Sequence, residues 1–321
     1  MTVHWLDRAF YLVVTPQPFF ADGWGDEGIL RDVSLEGARE RPAAAIEIAW
    51  GPERHEGGGL LREGVFESPE SRLPPVTRRA RVRMLRPAIR EARAVCLHLA
   101  ASGDEGFAMR LRFAAPLLEH GIAALVLENP YYGERRPAGQ RGPALRTVSD
   151  MVLMATATVR EGRSLLAWLE AQGHRRLGVA GYSMGGQMCA MIAVTWPRPL
   201  AVAALAPSDS PASVFTEGLL RSYPRWEALR RPGGSDELAR AELRQLFLRY
   251  AVSGLPPPVE PGAAVVVANR HDGVVPCADA ERIARRWGSE LRWLDGGHVS
   301  AAILEHPAMR RAVADAFARL P

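Results

Sequence analysis

The protein has 321 residues, a formal net charge of +4 and 47% hydrophobic residues, which is the composition of a soluble globular protein with a sizeable core. All of its 40 Lys+Arg residues are arginines. The absence of lysine excludes chemistry that needs an amine able to lose its proton, including Schiff-base catalysis, a phosphate-loop lysine and a Ser-Lys dyad.

The first 80 residues are rich in Gly and Pro, and we interpret them as an N-terminal extension with one or two strands, Ala44–Trp50 among them. Asp7 and Arg8 interrupt the apolar start where a signal peptide needs an unbroken run, and no segment reaches the roughly 18 apolar residues of a membrane span. We therefore expect a cytoplasmic protein. The apolar residues 10–14 and Phe19-Phe20 are expected to pack on the body, with a peripheral membrane contact as the alternative.

From about residue 80, short apolar runs alternate with helix-length segments, which predicts a mostly parallel sheet with helices on both faces. The predicted strands are Arg81–Leu85, Ala94–Leu99, Ile122–Leu127, Leu177–Ala180, Ala201–Leu205, Ala264–Ala268 and Leu291–Leu294. The predicted helices between them are Phe107–Glu119, Ser149–Gln172 and Gly185–Trp196. The last of these is apolar nearly all round, so we expect it to be buried.

Residues 207–262 interrupt the alternation with two helical patterns, Val214–Tyr223 and Asp236–Val252, and Ser235 is placed to cap the second. An insertion before the penultimate strand is where a lid would lie. The predicted division is therefore an extension (1–80), a core (81–206 and 263–321) and a helical cap (207–262).

A nucleophile motif, G-x-S-x-G, occupies residues 181–185 and centres on Ser183. A predicted strand enters it directly and a predicted helix leaves it, as in the strand-turn-helix elbow that lifts a serine oxygen above a sheet. Glycines at both flanks fit this turn, which leaves no room for a Cβ atom. The alternative is a glycine-rich turn with an idle serine.

A serine hydroxyl needs a base, and the elbow requires the chain order serine, acid, histidine. His298 follows the last predicted strand and is our candidate base. Asp272, after strand Ala264–Ala268, is the favoured acid, and Asp209 is its rival. His98 ends a strand, where a structural role is more common.

The tetrahedral intermediate of such a reaction needs an oxyanion hole. We expect one donor to be the backbone N–H of Met184, the residue after the nucleophile, and the second to be Ala100, with Ala101 next.

Polar residues also follow strand Ile122–Leu127, where ligands bind in this fold class. Tyr131, Tyr132, Arg135 and Arg136 are candidates, with Tyr182, for substrate binding, and the two arginines could clamp a phosphate or carboxylate such as a phosphatidyl headgroup. The alternative is a rigid loop in which Glu128 and Glu134 pair with those arginines and the tyrosines pack.

These segments together resemble the α/β-hydrolase-domain-containing protein 18 family. The resemblance spans nearly the whole chain and rests on residues 19–25, 98–100, 128–136, 181–186, 214–216, Asp272 and 296–301. It implies an α/β-hydrolase fold and favours Asp272 over Asp209, because the family motif has an aspartate at the former position. This chain departs from the family pattern at Ala101, where a glycine is usual, and its insertion is shorter than in eukaryotic members.

We therefore expect a serine hydrolase that cleaves a carboxylic ester, most readily a lipid or other apolar acyl ester, without a metal or organic cofactor. No arginine cluster is interleaved with aromatic residues, so nucleic acid is not an expected partner. The far-apart Cys96, Cys189 and Cys277 indicate neither disulfides nor zinc. The alternatives are an acyltransferase that uses the same triad and a non-catalytic binding protein on a hydrolase fold. Product analysis with competing acceptors distinguishes the first, and active-site labelling the second.

Overall fold

A computed structural model describes residues 3–13, 17–32 and 37–321, and its centre is one ten-stranded sheet. The strands are β1 (Ala49–Trp50), β2 (Arg54–Glu56), β3 (Gly59–Glu67), β4 (Arg79–Pro87), β5 (Ala94–Leu99), β6 (Ile122–Leu127), β7 (Leu177–Tyr182), β8 (Ala201–Leu205), β9 (Ala264–Asn269) and β10 (Glu290–Leu294). Their order is β1-β3-β4-β6-β5-β7-β8-β9-β10, and β2 pairs with β3.

The sheet is parallel from β6 to β10, and the antiparallel strands β1 to β4 extend it at one edge. Buried strands flanked by helices confirm the predicted fold class. Strand β5 lies between β6 and β7, and Leu99 is in register with Gly181. The loops after these neighbouring parallel strands therefore emerge side by side, at the edge where open α/β sheets bind ligands.

Twelve α-helices occur in the described part of the chain. They are α1 (Trp5–Val13), α2 (Glu27–Asp32), α3 (Pro75–Arg78), α4 (Ala108–Ala114), α5 (Val148–Ala171), α6 (Met184–Thr195), α7 (Pro211–Thr216), α8 (Trp226–Leu229), α9 (Asp236–Leu248), α10 (Cys277–Trp287), α11 (His298–Leu304) and α12 (His306–Ala318). Short 3₁₀ helices cover Ala115–His120, Gly133–Arg135, Leu219–Ser222, Val252–Gly254 and Pro261–Ala263. No helix among the described residues is long and apolar enough to cross a membrane.

All seven strands predicted for the core are confirmed, three of them with the bounds expected and four with ends that differ by one or two residues. Helix α6 is buried from Gly185 to Thr195, as its all-round apolar sequence predicted. Ser235 caps α9 by accepting a hydrogen bond from the Leu238 N–H at 3.3 Å.

The predicted strand Ala44–Trp50 is wrong over most of its length, because only Ala49–Trp50 forms ladder pairs. The extension also contains the unpredicted hairpin of β2 and β3. Its two-residue loop, Gly57-Gly58, has both φ angles positive, at 61° and 77°. A primed hairpin turn needs this conformation, and glycine adopts it without steric cost. The glycine run therefore marks a turn within the sheet.

The predicted helix Val214–Tyr223 is also wrong in its bounds. Helix α7 begins three residues earlier at Pro211, after Ser210, whose hydroxyl accepts from the Ala212 N–H at 3.3 Å. Proline at the first helical position follows a serine cap readily. The chain then leaves the helix before a separate 3₁₀ turn, Leu219–Ser222.

The apolar N-terminal residues divide between the core and the surface. Phe19 and Phe20 are buried and contact Phe215 of α7, with ring centroids 5.1 and 5.3 Å away, which confirms packing on the body. Phe10 is 42% exposed on α1, and Val14 lies outside the described residues. The division into extension, core and cap stays a prediction.

Candidate active site

Ser183 occupies a strained turn between the end of β7 and the start of α6. Its φ is 58° and its ψ is −121°, a conformation that residues with a side chain rarely adopt. The Ser183 N–H donates to the Leu205 carbonyl at 2.8 Å, which fixes the turn against β8. The local geometry is that of a nucleophile elbow.

The two glycines of the motif are required by close backbone contacts. A Cβ atom on Gly181 would lie 2.3 Å from the Gly185 carbonyl oxygen, and one on Gly185 would lie 2.5 Å from the Leu99 carbonyl oxygen. Both distances are far below van der Waals contact. The second contact also packs the elbow against the end of β5, directly before Ala100, the predicted second oxyanion donor.

His298 joins Ser183 to Asp272 through two short contacts. Its Nε2 lies 2.8 Å from Ser183 Oγ, and its Nδ1 lies 2.7 Å from Asp272 Oδ2. A carboxylate can only accept, so Nδ1 carries the proton and Nε2 is left to accept from the serine hydroxyl. Ser183 and His298 are each only 7% exposed, so the contacts are largely shielded from water.

Asp272 is held by its own loop. Its Oδ1 accepts from the Val274 and Val275 N–H groups, each at 2.8 Å. Its Oδ2 accepts from Asn269 Nδ2 at 3.0 Å in addition to the histidine. The carboxylate is therefore fixed in the orientation that keeps His298 aligned.

The rival acid, Asp209, is bound elsewhere. Its two oxygens accept from the Ser253 N–H at 2.8 Å and the Ser253 hydroxyl at 2.7 Å. Arg282 also donates to it at 3.2 Å. The contacts of Asp209 therefore stabilise the insertion against α10, and Asp272 is the acid brought to His298.

The charges around His298 favour its protonated form. Burial by itself lowers the pKa of the imidazole, but the charge and hydrogen bond of Asp272, with a contribution from the charge of Asp7, raise the pKa above its ordinary value. The basicity of His298 suits proton abstraction from a hydroxyl. His98 differs, because burial lowers its pKa to about 3, and it packs edge-on against Phe113 away from the triad.

The two residues predicted to supply oxyanion donors lie beside the serine. Met184 begins α6, and the first N–H groups of a helix have no intrahelical acceptor. Ala100 directly follows β5, and its backbone packs against Gly185 across the elbow. Ala101 accepts from the Asp104 N–H at 3.1 Å, which closes the loop into a turn.

Arg135 does not face a substrate, contrary to the prediction. Its side chain is fully buried and pairs through both terminal nitrogens with Glu161 of α5, which is equally buried. Its Nε donates to the Thr77 carbonyl at 2.9 Å, and Nη1 also donates to the Glu128 carbonyl. With its donors committed to the protein, Arg135 has a structural role.

The rest of the loop follows the alternative only in part, because Arg135 and Arg136 pair with glutamates other than Glu128 and Glu134. Arg136 pairs with Glu105. Tyr131 and Tyr132 are buried, and the Tyr132 hydroxyl accepts from the Gly103 N–H at 3.5 Å. Tyr132 therefore connects this loop to the loop that follows β5. These contacts favour a rigid support for the site over an anion clamp.

Tyr182 also has a different geometry from the one predicted. Its hydroxyl donates to the His298 carbonyl at 2.6 Å and accepts from Asn269 Nδ2 at 2.9 Å. Tyr182 thus holds the backbone of His298, the candidate base, and Asn269 connects Tyr182 to Asp272. Asn269 was not among the predicted site residues, although its place at the end of β9, three residues before Asp272, was a signal.

Asp7 is the other site residue that was not predicted. Its buried carboxylate accepts from the backbone N–H groups of His298 and Gly273. Its 291-residue separation from His298 gave no local signal. Among residues 3–13, 17–32 and 37–321, no three His, Cys, Asp or Glu side chains are arranged to hold a metal ion.

Comparison with known families shows which family the chain belongs to. The family model described as alpha/beta hydrolase domain containing 18 matches residues 17–247 and 234–319, which is nearly the whole chain. The chain belongs to this alpha/beta hydrolase family. The resemblance seen in the sequence is therefore confirmed.

Solved structures with similar folds include esterases. Acetyl xylan esterase 1 from Thermoanaerobacterium sp. JW/SL YS485 matches with a TM-score of 0.59 and 14% identity, over 98% of this chain and 99% of that one. An acetyl xylan esterase from Paenibacillus sp. R4 has the same TM-score and identity, over 92% and 96%. A cold-adapted esterase from an Arctic intertidal metagenomic library has a TM-score of 0.52 and 17% identity, over 85% and 100%. At these identities the matches establish the alpha/beta hydrolase fold.

Proposed function

We propose that this alpha/beta hydrolase is a serine esterase that cleaves a carboxylic ester through an acyl-enzyme on Ser183. The observation that carries the proposal is the continuous relay from Ser183 Oγ through His298 to Asp272, with contacts of 2.8 and 2.7 Å. A strained serine, a buried base and an orienting carboxylate form the arrangement that activates a hydroxyl for attack on an acyl carbon.

The first half of the reaction acylates the enzyme. His298 Nε2 takes the proton of Ser183 while Oγ attacks the ester carbonyl carbon. The carbonyl oxygen becomes an oxyanion, for which the backbone N–H groups of Met184 and Ala100 are the proposed donors. When the intermediate collapses, the bond to the alkoxy oxygen breaks, and His298 returns its proton to the departing alcohol.

The second half releases the acid. A water molecule loses its proton to His298 and attacks the acyl carbon. The new intermediate then expels Ser183 Oγ, which recovers the proton from His298. Asp272 keeps the imidazole in the required tautomer and stabilises its protonated form in both halves.

For the substrate, we propose an uncharged apolar acyl ester. Arg135 and Arg136, the two cations that could have bound an anionic substrate, are paired with Glu161 and Glu105. The shielding of Ser183 and His298 from water suits an apolar acyl group better than a charged one.

A fluorophosphonate probe tests the proposal, because it reacts covalently with an activated serine. We expect wild type to be labelled and Ser183→Ala to lose labelling. Ser208→Ala is the matched control, since Ser208 is a buried serine whose hydroxyl donates to Gln187 at 3.1 Å, outside the relay. No labelling of wild type, or full labelling of Ser183→Ala, would refute the assignment.

A further inference from the structure

The N-terminal helix α1 carries one buried carboxylate, that of Asp7, into the core of the site. Asp7 is 0% exposed. Its Oδ2 accepts from the His298 N–H at 2.7 Å and the Gly273 N–H at 3.0 Å, and its Oδ1 accepts from the Val299 N–H at 2.8 Å. One side chain therefore contacts the loop of the base and the loop of the acid together.

A carboxylate can accept from all three of these backbone N–H groups, which an uncharged side chain of the same size cannot. An asparagine has a single acceptor oxygen, so at least one of the three N–H groups would lose its partner. No basic side chain pairs with Asp7 in the part of the chain that the structure describes. A buried carboxylate without a cation is costly unless hydrogen bonds compensate it, and here backbone N–H groups do so.

Asp7 and His4 pack closely against the backbone of the loop that carries His298. A Cβ atom on Gly297, the residue before the base, would lie 2.6 and 2.7 Å from the two Asp7 oxygens and 2.5 Å from His4 Cβ. The His4 N–H donates to the His271 carbonyl at 3.0 Å, which attaches the start of the chain to the acid loop as well.

We propose that Asp7 is a positioning residue of the triad: its carboxylate sets the separation of the Asp272 and His298 loops and places a negative charge behind the imidazole. The role depends on the proposed esterase activity, because it acts only through His298 and Asp272. The titratable groups that contact His298 are Asp7, Asp272 and Tyr182, and His4 packs beside Gly297, the residue before it.

Two consequences separate positioning from a general effect on folding. Asp7 does not touch the serine or the acyl site, so its loss should lower kcat and leave KM unchanged. The charge of Asp7 also raises the pKa of His298. Removing that charge should therefore move the acid limb of the pH profile to lower pH, because a neutral base then persists in more acidic solution.

The experiment compares Asp7→Asn, Asp7→Ala and Gly297→Ala with wild type, using p-nitrophenyl acetate and the fluorophosphonate probe. We expect kcat to fall roughly tenfold in Asp7→Asn and about a hundredfold in Asp7→Ala and Gly297→Ala, since small misplacements of catalytic groups have effects of this size. In Asp7→Asn, KM should stay within about twofold, and the acid-limb midpoint of kcat/KM should fall by several tenths of a pH unit. Circular dichroism checks that each variant is folded.

Asp22→Asn is the matched control, because Asp22 is another N-terminal carboxylate but forms an exposed pair with Arg146. It should behave as wild type. If Asp7→Asn keeps the wild-type kcat and midpoint, or if kcat falls with a parallel rise in KM and no shift of the midpoint, the positioning role is wrong. If the probe still labels Ser183 of wild type, these results refute only the role of Asp7 and not the esterase proposal. If the probe does not label wild type, the esterase proposal and the role of Asp7 are both refuted.

Discussion

Replacing Arg135 by methionine tests whether the loop after β6 is a structural support or a binding site. The substitution removes the cation beside Glu161, and both side chains are fully buried. It also leaves the Thr77 and Glu128 carbonyls without the donors they now have. Without the Arg135 guanidinium, the buried negative charge of Glu161 is left uncompensated in a region of low polarity.

The size of the effect follows from that loss. Breaking a buried ion pair by removing one partner costs about 3–5 kcal/mol. For 321 residues at about 2.1 cal/mol/K each, the entropy of unfolding is roughly 0.67 kcal/mol/K. The melting temperature of Arg135→Met should therefore fall by about 4–8 °C.

Differential scanning calorimetry measures this change, and Arg146→Met is the matched control. Arg146 forms an exposed pair with Asp22, with about half of its side chain in water. Exposed pairs contribute less than about 1 kcal/mol, so the control should lose at most roughly 1–2 °C.

The binding alternative gives the opposite pattern. If Arg135→Met melts no earlier than Arg146→Met and its KM rises for anionic esters alone, Arg135 faces the substrate. The structural interpretation would then be refuted, and the original hypothesis of an anion clamp would be restored.

Two further predictions concern the relay and the elbow. Because the pKa of His298 is raised, kcat/KM for p-nitrophenyl acetate should fall as the pH is lowered. The midpoint of this fall should lie above about 6.5, the ordinary pKa of histidine. A midpoint below that value would contradict His298 as the base. Gly185→Ala places a Cβ atom 2.5 Å from the Leu99 oxygen and should lower kcat about a hundredfold, whereas Gly254→Ala, with nothing within 4 Å, should leave kcat unchanged. Equal activity of these two glycine variants would show that the elbow tolerates the added atom.

Most of the strands and helices of the core could be predicted from local sequence patterns. Runs such as Ala94–Leu99 and Ile122–Leu127 are apolar over one strand length, so their burial and their bounds could be predicted together. The elbow around Ser183 could also be predicted, because its two glycines are required by contacts with residues nearby in the sequence or in the adjacent strand. The hairpin around Gly57-Gly58 was not predicted, because a run of glycines is as common in an irregular loop as in a tight hairpin turn.

The pairing partners of the charged side chains could not be predicted from the sequence. Arg135 and Arg136 look alike next to each other in the chain, yet one is buried against Glu161 and the other pairs with Glu105. Asp209 and Asp272 both follow strands, and only the loop geometry brings the second to His298.

The order of serine, acid and histidine along the strands, together with the absence of lysine, determined from the sequence alone that a histidine is the candidate activator of Ser183. The sequence favoured Asp272 over Asp209 but could not place either. Only the tertiary structure showed that Asp272 lies beside His298, that Arg135 is buried against Glu161, and that Asp7 contacts the His298 backbone from 291 residues away. The physical reason is that backbone conformation and burial follow short-range patterns, whereas a charge is compensated by whichever group the folded chain places within hydrogen-bond distance.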